Sequence, residues 1–478
     1  MGVPQRIGAT TGVTLVRAFG VTTATLLVAG IVIGSGVFKK IVPLAQTGLS
    51  EGWILAAWLL AGFITLCGAF NLAGLSSLTE ESGGIYEYLR LSFGNFASFL
   101  FGWTDFTIIG TASVAALGFI FSQTINTLIP LPNPLQPWAQ VSIGGFIYPF
   151  ADSGIKILAI GIICALTWVN YRGAAVSGTL SNVFTGAKLL GILLLIMVGL
   201  FLAAPAPETA PVLNAPATTS STSFISAFLT ALLSVFWAYD GWVDLSFVTG
   251  EVKNPTRNVP RALVAGVSIA IGVYLLVNYA YLRVLSLPEL AAISPNEIGA
   301  AVVAESVLGK AGKTGVTLLI MVSVFGTLNA VLLSHTRIYF RMAQERFFFP
   351  KAATVHPRYR TPHVALGYTL VWSCLLVLSG TFEMLTDLVI FATFLFYGLL
   401  ALAVLKMKRQ GRITAKVIGY PFVQLFILLF AMSLTVNTLV TQPKQSLIGI
   451  GLVLSGLPFY YYFKKQSAVQ LSSAPAGD

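Results

Sequence analysis

Twelve apolar runs of about membrane-spanning length dominate this sequence. A helix that crosses a bilayer needs about 20 predominantly apolar residues, and such runs lie at 14–46, 52–75, 95–129, 155–171, 180–204, 222–250, 262–285, 312–340, 364–380, 384–405, 416–440 and 446–463. Only 9% of the residues are charged, against roughly 25% in soluble domains. A membrane β-barrel would show alternating polar and apolar residues instead. The sequence therefore predicts an all-α integral membrane protein with 12 transmembrane helices.

The runs divide into two sets of five and a final pair. We predict a single transmembrane domain over 1–478, with a five-helix repeat at 14–204, a second at 222–405, and helices 11 and 12 at 416–463. Because each repeat has an odd number of spans, the second would be inverted relative to the first, and runs one and six would correspond. Both runs are interrupted by glycine. Matching broken helices in inverted halves are typical of a solute site at the middle of the bilayer.

The charged residues indicate the orientation of the chain. Most of the 28 Lys and Arg residues fall in segments that this topology places on one side of the membrane. That bias predicts cytoplasmic N- and C-termini in a multi-pass protein of the cell membrane. The net charge of +11 then reflects topology in the lipid bilayer, and it does not indicate a nucleic-acid partner.

The first interruption is a small-residue stretch in run one, Ile33-Gly34-Ser35-Gly36. Its glycines relax the backbone, and a helix that restarts after them has free N–H groups at its positive end, which suit a carboxylate. Ser35 adds a hydroxyl. The alternative interpretation is that small residues at this spacing only let two helices pack closely.

The second interruption lies in run six, at Trp237-Ala238-Tyr239-Asp240-Gly241-Trp242. Its freed backbone carbonyls suit an ammonium group, with Tyr239 and Trp242 as gates or pocket walls. An aromatic belt at the membrane interface is the alternative. A carboxylate at membrane depth is by default a functional candidate, so Asp240 either faces a cationic substrate group or caps the inner half-helix.

Lys188 lies well inside run five. A lysine buried in hydrocarbon pairs with an anion, bonds to carbonyls or loses its proton. We therefore predict a coupling role for Lys188, either as a fixed positive charge or as a proton carrier. A lysine at the end of a differently bounded helix is the alternative.

Weaker candidates lie on the third and eighth runs. Ser323 and Asn329 either face the pocket or bond across helices, whereas His335 and Asp105 are more typical of helix packing.

No pattern in the sequence indicates an enzyme. The three cysteines, Cys67, Cys164 and Cys374, all lie in apolar runs, with neither metal-ligand spacing nor an extracellular disulfide position. No nucleotide loop, catalytic triad or acid–base pair accompanies them. We expect no catalytic residues, cofactor or metal.

Several motifs together resemble amino acid permeases of the amino acid–polyamine–organocation (APC) superfamily, and the L-type amino acid transporter (LAT) branch in particular. They are Ile33-Gly34-Ser35-Gly36-Val37-Phe38, Ser82-Gly83-Gly84 with Tyr86, Phe184 to Leu190, Ala238-Tyr239-Asp240-Gly241-Trp242, Phe247-Val248-Thr249-Gly250-Glu251, Asn254-Pro255, Arg257-Asn258-Val259-Pro260, His356-Pro357-Arg358 and Thr361-Pro362. The resemblance implies a LeuT-like fold of two inverted five-helix repeats with helices 1 and 6 broken, and amino acid exchange by alternating access.

The resemblance also implies roles for individual residues. The substrate carboxylate would meet the N–H groups of Ser35 and Gly36. The amino group would meet carbonyls at Val32, Trp237, Ala238 and Asp240, and the rest of the two breaks would complete the site: Ile33, Gly34, Tyr239, Gly241 and Trp242. Lys188 stands where sodium-coupled relatives bind an ion, which implies sodium-independent transport, and in proton-coupled relatives a lysine there carries the proton.

The chain departs from the family pattern at several places. Lys39 and Lys40 follow the first break, where small residues and proline are usual. An Arg-Pro-Ser-Ser stretch of the third span is replaced by Gly110-Thr111-Ala112-Ser113, which makes Ser113 a secondary pocket candidate beside Ser323 and Asn329. Loop 130–153 lacks the cysteine through which animal members bind a heavy chain, so we expect a stand-alone, prokaryotic transporter without a disulfide-linked heavy chain.

The expected function is sodium-independent transport of L-amino acids, with exchange of neutral ones favoured. One alternative is a proton-coupled importer that also accepts cationic amino acids. Another is a receptor or sensor on a permease scaffold, although no soluble signalling domain is visible in the sequence.

Overall fold

The protein is almost entirely helical, as its computed structural model shows. The structure describes residues 19–79, 83–144, 147–202, 221–294 and 297–472. In these residues the only β features are two isolated bridges. The helices are α1 (Val21–Val32), α2 (Gly36–Lys39), α3 (Ile41–Ala45), α4 (Glu51–Leu75), α5 (Gly84–Phe93), α6 (Asn95–Thr104), α7 (Gly110–Leu128), α8 (Ser153–Arg172), α9 (Ala174–Met197), α10 (Ser221–Tyr239), α11 (Asp244–Phe247), α12 (Pro255–Val284), α13 (Leu287–Ala291), α14 (Gly299–Gln344), α15 (His363–Ser379), α16 (Phe382–Arg409), α17 (Phe422–Thr441), α18 (Pro443–Leu454) and α19 (Gly456–Ser472).

The predicted spans correspond to helices of suitable length and composition. In the described residues, ten helical segments are long and apolar enough to cross a bilayer, and two shorter apolar ones, Phe224–Tyr239 and His363–Ser379, lie in predicted spans six and nine. The prediction of an all-α integral membrane protein is therefore confirmed. The eighth predicted run begins at 312, shortly after a kink at Gly309, where φ is 61° and the backbone is not helical; residues 299–308 form a separate helical part of α14 that precedes the span. Residues 14–18 of the first run lie outside the described residues.

The first and sixth spans are both interrupted, at 33–35 and at 240–243. They run antiparallel, because α1 packs against α11 and α2 packs against α10. Each half of one broken helix therefore contacts the opposite half of the other. This arrangement brings the two interruptions to the same depth in the bundle.

The helices around the breaks form the buried part of the bundle. α12 packs on α1 and α4, while α14 packs on α7, α9 and α2. The helix pair α6 and α7 is joined by a π-helical turn at Asp105–Ile109, a feature that is frequent at functional sites. In contrast, α17 exposes large apolar side chains such as Phe422 and Val440, as expected of helices that face lipid.

The polar segment after the second span forms a helix that covers α11. This segment, 76–91, is too polar to span a membrane and predicts a cytoplasmic reentrant or interfacial helix; α5 begins within it at Gly84. The Gly83 N–H donates to the Phe247 carbonyl at 3.3 Å. A β-carbon on Gly84 would lie 2.1 Å from Ser246 Oγ, so only glycine allows this close approach of α5 to α11.

Candidate functional site

The two helix breaks are in direct contact. A β-carbon on Gly36 would lie 2.5 Å from both Cα and Cβ of Ala238, so the backbones meet where Gly36 has no side chain. Trp237 Nε1 donates to Ser35 Oγ at 3.3 Å. Gly241 has φ +91°, and a β-carbon there would lie 2.5 Å from Ile31 Cγ2. Both the backbone conformation and the lack of space therefore favour glycine at this position.

A tyrosine from the seventh span joins the two breaks. The Tyr274 hydroxyl lies 2.6 Å from the carbonyl oxygens of both Val32 and Ala238, two of the four carbonyls predicted to meet an amino group. Tyr274 is fully buried. Sequence reasoning missed this residue, because a single tyrosine in an apolar run is indistinguishable from one that only packs.

A cavity of about 410 Å³ opens beside this contact. The predicted site residues that line it are Val32, Gly34, Ser35, Gly36, Ser113, Trp237, Asp240 and Gly241. Three glycines in this lining expose only backbone, and Ser35 and Ser113 add hydroxyls, beside apolar side chains such as Leu117. The cavity can therefore offer N–H donors and carbonyl acceptors to a small zwitterion, with both helix breaks contributing.

Two predicted pocket residues, Tyr239 and Trp242, lie on the other side of the second break. They line a separate cavity of about 480 Å³ between α4, α10, α16 and α17. The Tyr239 hydroxyl donates to the Trp58 carbonyl at 3.0 Å, and the Trp242 ring lies 5.4 Å from that of Tyr397. Ile33 lines neither cavity and is fully buried.

Asp240 lies between the two cavities and lines both. The Tyr397 hydroxyl donates to its carboxylate at 3.4 Å. The N-cap of α11 is Val243, and no side chain caps that helix. The carboxylate is therefore available to a group in either cavity and does not cap α11.

Lys188 reaches the first break. Its ammonium donates to the Gly30 carbonyl and, at 3.2 Å, to Thr327 Oγ1. Thr327, which the sequence did not single out, lines the cavity of about 410 Å³ beside Gly34. Lys188 is 1% exposed, and these two neutral oxygens hold it between α9, α1 and α14.

The remaining secondary candidates lie away from both cavities. Asn329 Oδ1 accepts from Asn170 Nδ2 at 2.9 Å, a bond between two spans. Ser323 is buried, and its carbonyl accepts from Thr327 at 3.1 Å. Of the secondary candidates, Ser113 alone is placed at the cavity wall.

Charged side chains lie on both sides of the breaks. On the α2 side, Lys40 donates to Glu383 Oε2 at 2.6 Å and Lys39 donates to Gln123 Oε1 at 2.7 Å. The Phe382 ring lies under the Lys39 ammonium, 4.3 Å from the ring centroid, and meets the Trp237 ring edge-on at 6.0 Å. These contacts separate the cavity from that end of the bundle.

On the α11 side, three ionisable residues meet. His335 Nδ1 lies 3.0 Å from the carboxylate oxygens of Asp105, and His335 Nε2 lies 3.7 Å from Asp244 Oδ2. Sequence reasoning had assigned Asp105 and His335 to packing and had overlooked Asp244. His335 and Asp244 both line the cavity.

Comparisons with known proteins agree with this architecture. The family model described as amino acid permease matches residues 19–460. The chain is 31% identical over 460 residues to the serine/threonine exchanger SteT of Bacillus subtilis (strain 168), which covers 95% of this chain and 98% of that protein. It is 29% identical over 453 residues to the human large neutral amino acids transporter small subunit 2 (94% and 81% covered). It is 27% identical over 451 residues to the mouse b(0,+)-type amino acid transporter 1 (94% and 88% covered).

Proposed function

The chain belongs to the amino acid permease family and is a multi-pass membrane transporter of amino acids rather than an enzyme, and we propose that it exchanges neutral L-amino acids without sodium. The observation that carries this proposal is the contact between the two helix breaks, which together line one small cavity. The names of the first two relatives, a serine/threonine exchanger and a large neutral amino acids transporter, support both exchange and neutral substrates.

In this proposal the substrate is held by its main-chain groups. The carboxylate binds the N–H groups at Ser35 and Gly36, where α2 begins and the positive helix end favours an anion. The amino group binds carbonyls of Val32, Trp237, Ala238 and Asp240. The Tyr274 hydroxyl lies 2.6 Å from two of these carbonyls and would hold them in position.

Lys188 is proposed as a fixed positive charge that replaces a coupling ion. Its ammonium joins α9 to the Gly30 carbonyl of α1 and to the Thr327 hydroxyl. A bound cation at this position would lie between the same two oxygens. Like a bound cation, the ammonium holds these oxygens together. Sodium would then be unnecessary.

The topology is part of the proposal. We place the inverted repeats at 14–204 and 222–405 and the two terminal helices at 416–463, within a single transmembrane domain over 1–478. The basic segments put both termini, α5 and α11 on the cytoplasmic side. The chain would act without a disulfide-linked heavy chain, since its three cysteines lie in the apolar helices α4, α8 and α15.

The test uses purified protein in liposomes. Labelled neutral amino acids are offered to vesicles that are either preloaded with unlabelled amino acids or empty, with and without sodium and with and without an inward proton gradient. Ser35→Trp, which fills the proposed carboxylate site, is the inactive control. Uptake only into preloaded vesicles, independent of sodium, is the expected result. Normal uptake by Ser35→Trp protein would contradict the placement of the site.

A proton-coupled importer is the second candidate, because Lys188 is a buried amine without a carboxylate partner among the contacts the structure describes. It predicts uptake into empty vesicles that rises with the proton gradient and loses this dependence in Lys188→Ala protein. If no uptake occurs under any condition from folded protein, the receptor interpretation replaces both.

A further inference from the structure

A buried ionisable cluster joins three spans on the α11 side of the site. Asp105 comes from the π-helical turn of the third span, Asp244 from α11 and His335 from α14. The three side chains are at most 6% exposed. The imidazole lies between the two carboxylates, with Nδ1 3.0 Å from Asp105 and Nε2 3.7 Å from Asp244.

The cluster is a main attachment of α11 to the bundle. α11 has four residues, too few for a helix to be stable without tertiary contacts. Besides the His335–Asp244 contact, Ser334 Oγ donates to Asp244 at 2.7 Å, and the Phe247 ring packs edge-on against the His335 ring at 5.4 Å. The N-terminal and C-terminal residues of α11 are thus both held by the same turn of α14.

The charge balance of the cluster depends on one proton. The charged groups that face His335 are Asp105 from the third span and Asp244 and Asp240 from the sixth; on α14 itself the Tyr339 hydroxyl donates to the Asp105 carbonyl. With an imidazolium in the middle, a cation lies between carboxylates. Without its proton, buried carboxylates remain near one another with no cation among the groups that face them, an arrangement that is costly in a buried site.

Metal binding does not explain this grouping, since no cluster of such side chains in the described ranges has the geometry to hold a metal ion. Histidine changes its charge near neutral pH. His335 and Asp244 also line the substrate cavity, so the cluster connects the cavity to the half-helix that closes it.

We propose that Asp105, His335 and Asp244 form a proton-dependent latch, which holds α11 closed over the substrate cavity while His335 is protonated and releases it when the proton is lost. The proposal rests on the proposed function in one respect, namely that α11 moves during transport. It assigns to these residues, two of which also line the cavity, a control over opening on one side of the membrane.

Thiol accessibility on α11 tests the latch. Ser246 is fully buried on α11 beneath Gly84 of α5, so a thiol introduced by Ser246→Cys, in a background lacking the three native cysteines, reacts only when α11 moves. The labelling rate is measured from about pH 6 to about pH 11, because the carboxylates on both sides of His335 favour the imidazolium and move its charge change above that of a free histidine. The labelling rate of Ser246→Cys protein is then divided by that of Ser246→Cys/His335→Gln protein at the same pH. This ratio no longer contains the pH dependence of the thiol itself.

This ratio is expected to rise by about tenfold or more with pH, the change that losing one charge-assisted hydrogen bond produces. Asp244→Asn should raise labelling throughout the range. Asp387→Asn is the matched control. The Asp387 carboxylate lies on α16 away from the cluster and accepts from Gln442 at 3.1 Å, so this variant should keep the pH dependence of labelling seen without it. A ratio that is constant with pH overturns the latch.

Transport by the same proteins separates this inference from the proposed function. If wild-type protein exchanges amino acids while the labelling ratio is flat, the latch is wrong and the exchanger stands. If it transports nothing while the ratio changes with pH, the exchanger is wrong and the latch stands. If Ser246→Cys protein does not fold, the exchange rates of wild-type and His335→Gln protein provide the test, with the pH varied on one side of the membrane at a time. The latch requires that the wild-type exchange rate depends on the pH of the α11 side and that His335→Gln removes this dependence.

Discussion

The contact between the helix breaks makes Gly36→Ala a stringent test of the site. The added β-carbon would lie 2.5 Å from Cα and Cβ of Ala238, whereas ordinary contacts begin at 3.4 Å. The breaks would have to separate by close to an ångström, because a backbone atom cannot rotate away as a side chain does. Overpacking of this kind costs about 1–3 kcal/mol, or a factor of about 5 to 150 in any equilibrium that requires the close approach.

Substrate affinity and exchange should both show this cost. We expect the Gly36→Ala protein in liposomes to exchange amino acids at least about fivefold more slowly, with weaker substrate-induced thermal stabilisation in detergent. Gly161→Ala is the matched control: Gly161 lies within α8 with nothing within 4 Å of a β-carbon, so alanine there should be neutral or stabilise by up to about 1 kcal/mol through helix propensity. If Gly36→Ala protein binds and exchanges like the control, the breaks do not form a common site.

Three further substitutions test other contacts. Asp240→Asn should selectively weaken competition by cationic amino acids against labelled neutral substrate, because only a cationic side chain gains from the carboxylate; equal loss for both classes would instead give Asp240 a structural role. Glu383→Gln should lower the stability measured by thermal unfolding by about 0.5–1.5 kcal/mol, since it removes the anion from buried Lys40 while water partly screens the half-exposed Glu383 side chain; an unchanged transition would show that the pair contributes nothing. Tyr274→Phe should cost about 1–3 kcal/mol because the buried Ala238 carbonyl loses its tyrosine donor, while Val32 keeps the Gly34 N–H; Tyr281→Phe on the same helix, whose buried hydroxyl has no partner among the described residues, should cost nothing, and equal effects of the two would refute the bridging role of Tyr274.

The fold follows from features that are local in the sequence. Apolar runs identify the spans because hydrocarbon requires each segment to satisfy its own backbone, and the breaks at 33–36 and 237–242 are visible because glycine and aspartate are unfavourable in such runs. The start of the eighth span was predictable for an equally local reason. Its apolar run begins at 312, shortly after Gly309, where the backbone leaves helical geometry and separates residues 299–308 from the span.

The side-chain partners within the site were not predictable in the same way. Tyr274 meets Val32 across 242 residues of sequence, and His335 meets Asp105 across 230. No periodicity links such positions, and a polar residue in a span looks the same whether it bonds across helices, as Asn329 does, or faces a cavity. The sequence predicted which backbone segments meet, since their breaks must be buried together, but not which side chains complete the site.

The two sides of the site are closed by contacts of different chemical character. On the α2 side, Lys40 pairs with Glu383, and Lys39 donates to Gln123 beside the Phe382 ring. On the α11 side, the corresponding contact passes through His335, an imidazole held between the carboxylates of Asp105 and Asp244, which favour its protonated form. Alternating access requires that one side opens while the other stays closed. Loss of the imidazole proton would therefore weaken the α11 closure, and if the latch operates we expect opening on the α11 side to be favoured as the pH rises through that step.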